Sequence, residues 1–212
     1  MQQYNTPELY HILLKGMLKM VHNKLISHKI EYWIDGGTLL GAVRHKDIIP
    51  HDDDIDIGVN YVDYNVKIKN LIPEFEKMKI QVNEITYDLK VVESPGIIKI
   101  YIEGMWSQTD FKIVATPTLD IFSWDVKKDK IQLSSIAQRK QFVNCFYLRS
   151  EMYPLKLYPF GEFEFYGANK PIGYLNRYYG SDCLDVAKIE IREPSSTNLL
   201  NKAVKKIEFK LS

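Results

Sequence analysis

Across residues 7–29, Leu9, Ile12, Leu13, Met17, Met20, Val21, Leu25 and Ile26 recur every three or four positions, the spacing of a helix that buries one face. Thr6 stands where an N-cap belongs and Pro7 where a first turn opens. The pattern then changes. Residues 31–35 read as a short strand, Gly36-Gly37 stops it, and residues 38–45 read as a helix with Leu39, Leu40 and Val43 inward. From Asp54 to Val59 the period is strictly two: Ile55, Ile57 and Val59 share one face, and Asp54, Asp56 and Gly58 share the other. That alternation predicts a half-buried strand. A second amphipathic helix is predicted over residues 63–79, kinked or divided at Pro73.

Beyond residue 79 the texture is strand-like, with segments at 80–86, 90–93, 97–103, 111–115 and 118–123 and a turn signal at Pro95-Gly96. A further strand is predicted at 142–148, a short hairpin at 158–166, a helix at 172–179 stopped by Gly180, and a final helix near 197–209. No internal repeat or low-complexity linker interrupts the chain. The expectation is one α+β domain over residues 1–212, with an N-terminal helix within 1–29 and an antiparallel or mixed sheet flanked by helices.

The 212 residues are 45% apolar and 26% charged, which excludes disordered and fibrous classes. Lys and Arg number 28 against 27 acids, a formal charge of +1, so no basic track is available for nucleic acid. No apolar run is long enough for a leader or a membrane span, and a cytoplasmic location without a membrane segment is the expectation. Cys145 and Cys183 are far apart and read as buried thiols. The neutral balance conceals one concentration of charge: Asp52, Asp53, Asp54 and Asp56 fall within five positions.

Asp54 and Asp56, one residue apart on a strand, project from the same face with Cα atoms about 7 Å apart. Two carboxylates this close repel each other unless a hard cation such as Mg²⁺ or Mn²⁺ neutralises them. An EF-hand loop is excluded, because its sixth position would be Ile57 and its twelfth Asp63. A sugar-nucleotide glycosyltransferase could use the Asp-x-Asp after Ile48-Ile49-Pro50, but would not need the Gly-Gly upstream. A nucleotidyltransferase arrangement uses all the parts. Gly36 and Gly37 open a helix where backbone N–H groups can approach phosphate oxygens, Asp54 and Asp56 form the pair, and Asp120 is an acid inside the apolar strand Leu119-Asp120-Ile121-Phe122. An acid there is costly unless it meets a cation.

Asp54, Asp56 and Asp120 are therefore the candidate catalytic and metal-binding residues of a two-metal site. Gly36, Gly37, Thr38 and Arg44 are candidates for phosphate, supported by His45 and Lys99. Arg44 offers a planar fork to phosphate, with an ion pair to Asp35 or Asp52 as the alternative. Asp52 stands between outer metal contact and solvent, and Asp53 is expected to hold the loop. Trp33, Trp106, Trp124 and the fourteen tyrosines are mostly core, although some could cage a quaternary ammonium.

The stretch Ile34-Asp35-Gly36-Gly37-Thr38-Leu39-Leu40-Gly41-Ala42-Val43-Arg44-His45-Lys46, continued by Ile49-Pro50-His51-Asp52-Asp53-Asp54-Ile55-Asp56-Ile57-Gly58, resembles the signature of the LicD family. Leu119-Asp120-Ile121-Phe122 resembles that family's second acidic motif, and Tyr174-Leu175-Asn176-Arg177-Tyr178-Tyr179-Gly180 its C-terminal block. The resemblance covers about residues 20–185 and leaves 181–212 as a C-terminal extension. It implies a nucleotidyltransferase-like fold and a metal-dependent transferase. The group moved would be a phosphoryl-alcohol, phosphocholine or an alditol phosphate, passing from a CDP-linked donor to a hydroxyl of a glycan or surface polymer. His51 departs from the Trp that bacterial members often carry. A glycosyltransferase using a sugar nucleotide and a non-catalytic glycan- or cation-binding module remain the alternatives.

Overall fold

The computed structural model describes residues 5–105, 107–108, 113–114, 116–192 and 203–211. Helix α1 (Glu8–Ser27) buries Tyr10, Leu13, Leu14, Met17, Leu18, Val21 and Leu25, the face that the spacing predicts. Its N-cap position is taken by Pro7 rather than Thr6. Thr6 is buried and its backbone N–H donates to the Pro50 carbonyl (2.8 Å), which ties the start of the chain to the loop before the acidic run. Strand β1 (Tyr32–Ile34) leads into α2 (Gly36–Arg44), and β2 (Asp54–Asn60) carries the alternation onward.

The segment expected as one kinked helix is four short helical pieces: α3 (Tyr61–Asp63), a π turn (Tyr64–Ile68), a 3₁₀ turn (Lys69–Leu71) and α4 (Ile72–Phe75). Pro73 sits in the first turn of α4, where its missing N–H costs nothing. Strands β3 (Lys79–Val82), β4 (Ile85–Ser94) and β5 (Ile97–Ile102) follow as a meander, with Pro95-Gly96 at the turn. Short strands β6 (Ser107–Gln108) and β7 (Ile113–Val114) pair with each other; the rest of the expected 111–115 strand, and Trp106, lie outside the described residues.

Strand β8 (Thr118–Val126) is the centre of the sheet, followed by β9 (Lys130–Leu133), α5 (Ile136–Gln141), β10 (Phe146–Leu148) and α6 (Arg149–Met152). Strands β11 (Lys156–Phe160) and β12 (Phe163–Gly167) form the expected hairpin, and α7 (Ile172–Tyr179) ends at Gly180 as its sequence indicates. The chain closes with β13 (Val186–Arg192) antiparallel to β14 (Ala203–Lys210). The final helix expected near 197–209 is thus a strand wherever it is described. Its partner strand β13, joined to it by pairs from Arg192 with Ala203 to Val186 with Lys210, supplies backbone bonds that local periodicity cannot signal.

The main sheet has eight strands, ordered β1-β2-β8-β5-β4-β3, with β9 beside β8 and β10 beside β9. Among the described residues, β2 and β8 run parallel and every other pairing in this sheet is antiparallel. This is a mixed sheet in an α+β fold. Helix α1 packs against β2, β3 and β8, and Trp33, Trp124 and Tyr147 form the aromatic centre of the core. No helix among the described residues is long and apolar enough to cross a membrane.

Candidate active site

The site begins where β1 ends. Ile34 pairs with Ile57, and the Asp35 backbone N–H donates to the Asp56 carbonyl (3.0 Å). Asp35 is extended, and Gly36 turns sharply to φ +51° to start α2. That turn brings the glycines against the acids: a Cβ on Gly36 would lie 2.5 Å from Asp56 Oδ2, and one on Gly37 would lie 2.7 Å from Asp52 Oδ2. Thr38 is buried and its Oγ1 accepts from the Asp56 N–H (2.8 Å). Two glycines and a threonine therefore hold the acidic strand at close range. His11 on α1 adds a tie, its Nε2 donating to the Asp52 carbonyl (3.2 Å).

Strand register supplies the next layer. Parallel pairing sets Asp54 opposite Thr118 and Asp56 opposite Asp120, while antiparallel pairing sets Lys99 opposite Asp120. Asp56, Asp120 and Lys99 thus form one row across three neighbouring strands. Asp120 is 4% exposed; Lys99 Nζ donates to its Oδ2, and its Oδ1 is buried with no hydrogen-bond partner.

Electrostatics follow from this crowding. Burial, then the charge of Asp56 and of Asp52, Asp53 and Asp120, pushes the Asp54 carboxyl well above its ordinary range. Burial also raises Asp56, with Asp120, Asp35 and Asp52 adding to it and Lys99 opposing. Asp120 is raised by burial against the pull of Lys99. Carboxylate oxygens of Asp52, Asp53 and Asp54 lie within 4.8 Å of one another. Those three hard oxygen donors are close enough to share a hard divalent cation, whereas Asp56 and Asp120 stand outside that group, Asp120 Oδ1 being a buried, unpartnered oxygen on the strand beside Asp56.

An open cleft of about 800 Å³ lies over the acids. Of the sequence-predicted residues, Gly37, Arg44, Asp54 and Asp56 line it, together with His51, Asp52 and Asp53; Gly36, Thr38, His45, Lys99 and Asp120 are not part of its lining. Arg44 reaches elsewhere than the sequence suggests. Its Nη1 donates to the carbonyls of Cys183 (2.7 Å) and Val186 (3.3 Å), and its Nε donates to His45 Nε2 (2.9 Å). It thereby joins α2 to the loop after α7 and to the start of β13. Burial and the neighbouring Arg44 lower the His45 pKa, consistent with a neutral ring that accepts.

Sequence reasoning missed a buried network next to the Gly-Gly turn. Asp35 is 3% exposed, and the Tyr147 hydroxyl donates to its Oδ1 (2.6 Å). Burial still lifts Asp35 to about 6. An acid closing an apolar strand was the available signal; its partner, 112 residues away, was not legible. The remaining lining of the cleft, residues 141–144, Tyr178, Tyr179 and Val186, Lys188 and Ile189 of β13, was also missed.

The family model for LicD/FKTN/FKRP, nucleotidyltransferase domain, matches residues 29–167. An uncharacterised protein of Rickettsia prowazekii is 36% identical over 166 residues, 78% of this chain and 53% of that protein, and one of Rickettsia typhi is 35% identical over 178 residues, 84% and 49%. The chain spans about half the length of these relatives. Shorter matches carry functional names. Ribitol 5-phosphate transferase FKRP of Homo sapiens is 46% identical over 46 residues (22% of this chain, 9% of that protein). Lipopolysaccharide cholinephosphotransferase LicD of Haemophilus influenzae is 46% identical over 49 residues (23% and 18%). Among solved structures, the lincomycin-bound lincosamide antibiotic adenylyltransferase LnuA matches with a TM-score of 0.46 at 16% identity, over 85% of this chain and 97% of that one. By the extent of the domain match, the chain belongs to the LicD/FKTN/FKRP family of nucleotidyltransferase domains.

Proposed function

We propose that this chain is a divalent-metal-dependent transferase that moves a phosphoryl-alcohol group, phosphocholine or an alditol phosphate, from a CDP-linked donor to a hydroxyl of a glycan or surface polymer. The observation that carries the reading is the row of acids on the sheet: Asp54 and Asp56 line the cleft beside Gly37, and strand register sets Asp120 next to Asp56, behind that lining. The named relatives act on ribitol 5-phosphate and on cholinephosphate, which supports the class of group moved.

In this reading Asp54 and Asp56 hold Mg²⁺ or Mn²⁺, and Asp120 completes the set through its unpartnered Oδ1. The bound cation would offset charge on the donor phosphates and lower the pKa of the attacking hydroxyl. Lys99 opposes the upward push of burial on Asp120, and the Asp120 carboxylate would help take the acceptor's proton. Gly37 and Arg44 both line the cleft; the Gly37 backbone would receive donor phosphates, while Arg44, whose Nη1 and Nε are bonded to Cys183, Val186 and His45, would add positive charge to that wall. The cost of assembling four acids is met in the fold by the Asp35–Asp56 and Thr38–Asp56 hydrogen bonds, which hold the strand in place before ligand arrives.

Turnover assays with CDP-choline, CDP-ribitol, CDP-glycerol and UDP-sugars, with and without Mn²⁺, test the reading. One CDP-alcohol should be consumed only with metal, and Asp54→Ala or Asp56→Ala should abolish consumption while leaving metal-free melting unchanged or raised. Survival of turnover in either variant rejects the site assignment; consumption of a UDP-sugar instead establishes a glycosyltransferase.

A further inference from the structure

Part of the cleft lining is aromatic. Tyr178 and Tyr179, at the end of α7, both line the cleft, and their rings meet edge to face at 4.6 Å. Tyr178 is the outermost ring of a column. It stacks on buried Tyr174 with 5.9 Å between centroids and 19° between planes, and Tyr174 stacks on buried Tyr147 at 3.9 Å and 24°. Phe142, also in the lining, meets Tyr178 edge to face at 6.5 Å. The buried end is pinned, because the Tyr147 hydroxyl is bonded to Asp35 next to the Gly-Gly turn. The column thus presents a rigid ring at a fixed position relative to the acidic strand.

Polar groups stand beside this ring. Gln141 and Asn144 are exposed and line the cleft, and among the described residues neither side-chain amide makes a hydrogen bond. A side-chain amide carries donors and an acceptor in one plane, which matches the edge of a nucleobase. A quaternary ammonium has no hydrogen-bonding group to engage them. The cleft volume of about 800 Å³ lies in the range of pockets that bury a ligand of nucleotide size.

We propose that Tyr178, supported by Tyr179 and Phe142, is the stacking surface for the nucleobase of a nucleotide-linked donor, and that Gln141 and Asn144 read that base's hydrogen-bonding edge. The proposal rests on the transferase reading above and adds residues to it. Losing a stacked base costs about five- to a hundredfold in affinity.

Calorimetric titration in Mn²⁺ with CDP, UDP, ADP, phosphocholine and inorganic pyrophosphate tests it, since pyrophosphate carries the charge without a base. Wild-type protein should bind one nucleoside diphosphate about tenfold tighter than pyrophosphate. Tyr178→Leu should erase that preference while leaving pyrophosphate affinity unchanged, and Tyr178→Phe should restore it. Gln141→Ala and Asn144→Ala, at exposed positions, should compress the ranking among the three bases, and they decide the matter if Tyr178→Leu does not fold. A wild-type preference that survives all these changes overturns the subsite and leaves the transferase reading standing. So does a Tyr178→Leu variant that loses phosphocholine binding but not nucleotide binding. A wild-type protein that binds pyrophosphate and gains nothing from any base rejects the nucleotide donor, and both readings with it.

Discussion

Gly36 and Asp56 share one space: with Gly36 at φ +51°, a Cβ there would fall 2.5 Å from Asp56 Oδ2. A methyl group cannot occupy that volume, so Gly36→Ala must displace the carboxylate or distort the first turn of α2. The left-handed backbone alone costs a non-glycine residue on the order of 1–3 kcal/mol. Gly104, at φ +75° with nothing within 4 Å of its Cβ position, carries that strain without the collision. In chemical denaturation Gly36→Ala should lose more stability than Gly104→Ala. It should also weaken Mn²⁺ binding and lower turnover by about a hundredfold, the scale expected when a reacting geometry moves by about 1 Å. Unchanged Mn²⁺ affinity in Gly36→Ala would show that the glycine does not position Asp56.

The crowded acids make metal-free stability depend on pH in a definite direction. Asp54 and Asp56 are raised in the fold by burial and by neighbouring carboxylates, so the folded state holds protons that the unfolded chain has released. Their contribution is full below about pH 4, the unfolded value, and is lost as pH rises through the raised folded pKa. His22 and His45, lowered mainly by burial, act oppositely near neutrality. The informative quantity is therefore the difference between wild type and Asp54→Asn. The variant should melt higher than wild type without metal, by a margin that grows from pH 5 to pH 8 and that closes or reverses when Mn²⁺ is added. A margin independent of pH and metal would contradict the repulsion.

Lys99 and Asp120 make a pair of unequal exposure, with the lysine side chain 43% exposed and the aspartate's 6%. Removing one partner of a buried pair costs about 3–5 kcal/mol, and solvent around Lys99 screens this to roughly 1–3 kcal/mol. Lys99→Met should lose that amount, because it leaves Asp120 buried without its counter-charge. Lys99→Met combined with Asp120→Asn should recover most of it. Urea denaturation of the four proteins gives the coupling energy; additive losses would mean that the two groups do not interact.

The elements that organise the site were legible because their signals are local. The alternation from Asp54 to Val59, the Gly36-Gly37 stop and the Gly180 end of α7 all lie where sequence places them. What sequence could not give was lateral. Nothing local sets Asp120 opposite both Asp56 and Lys99, because register between distant strands is fixed by packing over the whole sheet. The same holds for Arg44, whose donors meet carbonyls 139 and 142 residues away. The segment around Val204 and Ile207 fits helical spacing as well as strand spacing over so short a length, and pairing with β13 settles it as a strand.

Asp35 provides a last test of the buried network. Its carboxyl stands at about 6, raised by burial even though the Tyr147 hydroxyl bonds to Oδ1 and opposes the rise. A raised acid contributes stability that is present below about pH 4 and lost as pH rises through 6. Tyr147→Phe keeps the stack on Tyr174 and the contact with Trp124 but removes the donor to the ionised carboxylate. The Asp35 pKa should then rise further. At pH 8 the variant should be less stable than wild type by about 1.5–3 kcal/mol, the scale of one hydrogen bond to a charged group, with the Gly36 N–H and the Tyr174 hydroxyl still bonded to the carboxylate. At pH 5, with Asp35 protonated in both proteins, the gap should narrow. Urea denaturation at the two pH values measures it. A gap that is equal at both, or larger at pH 5, would mean that the hydroxyl does not stabilise the charged form of Asp35.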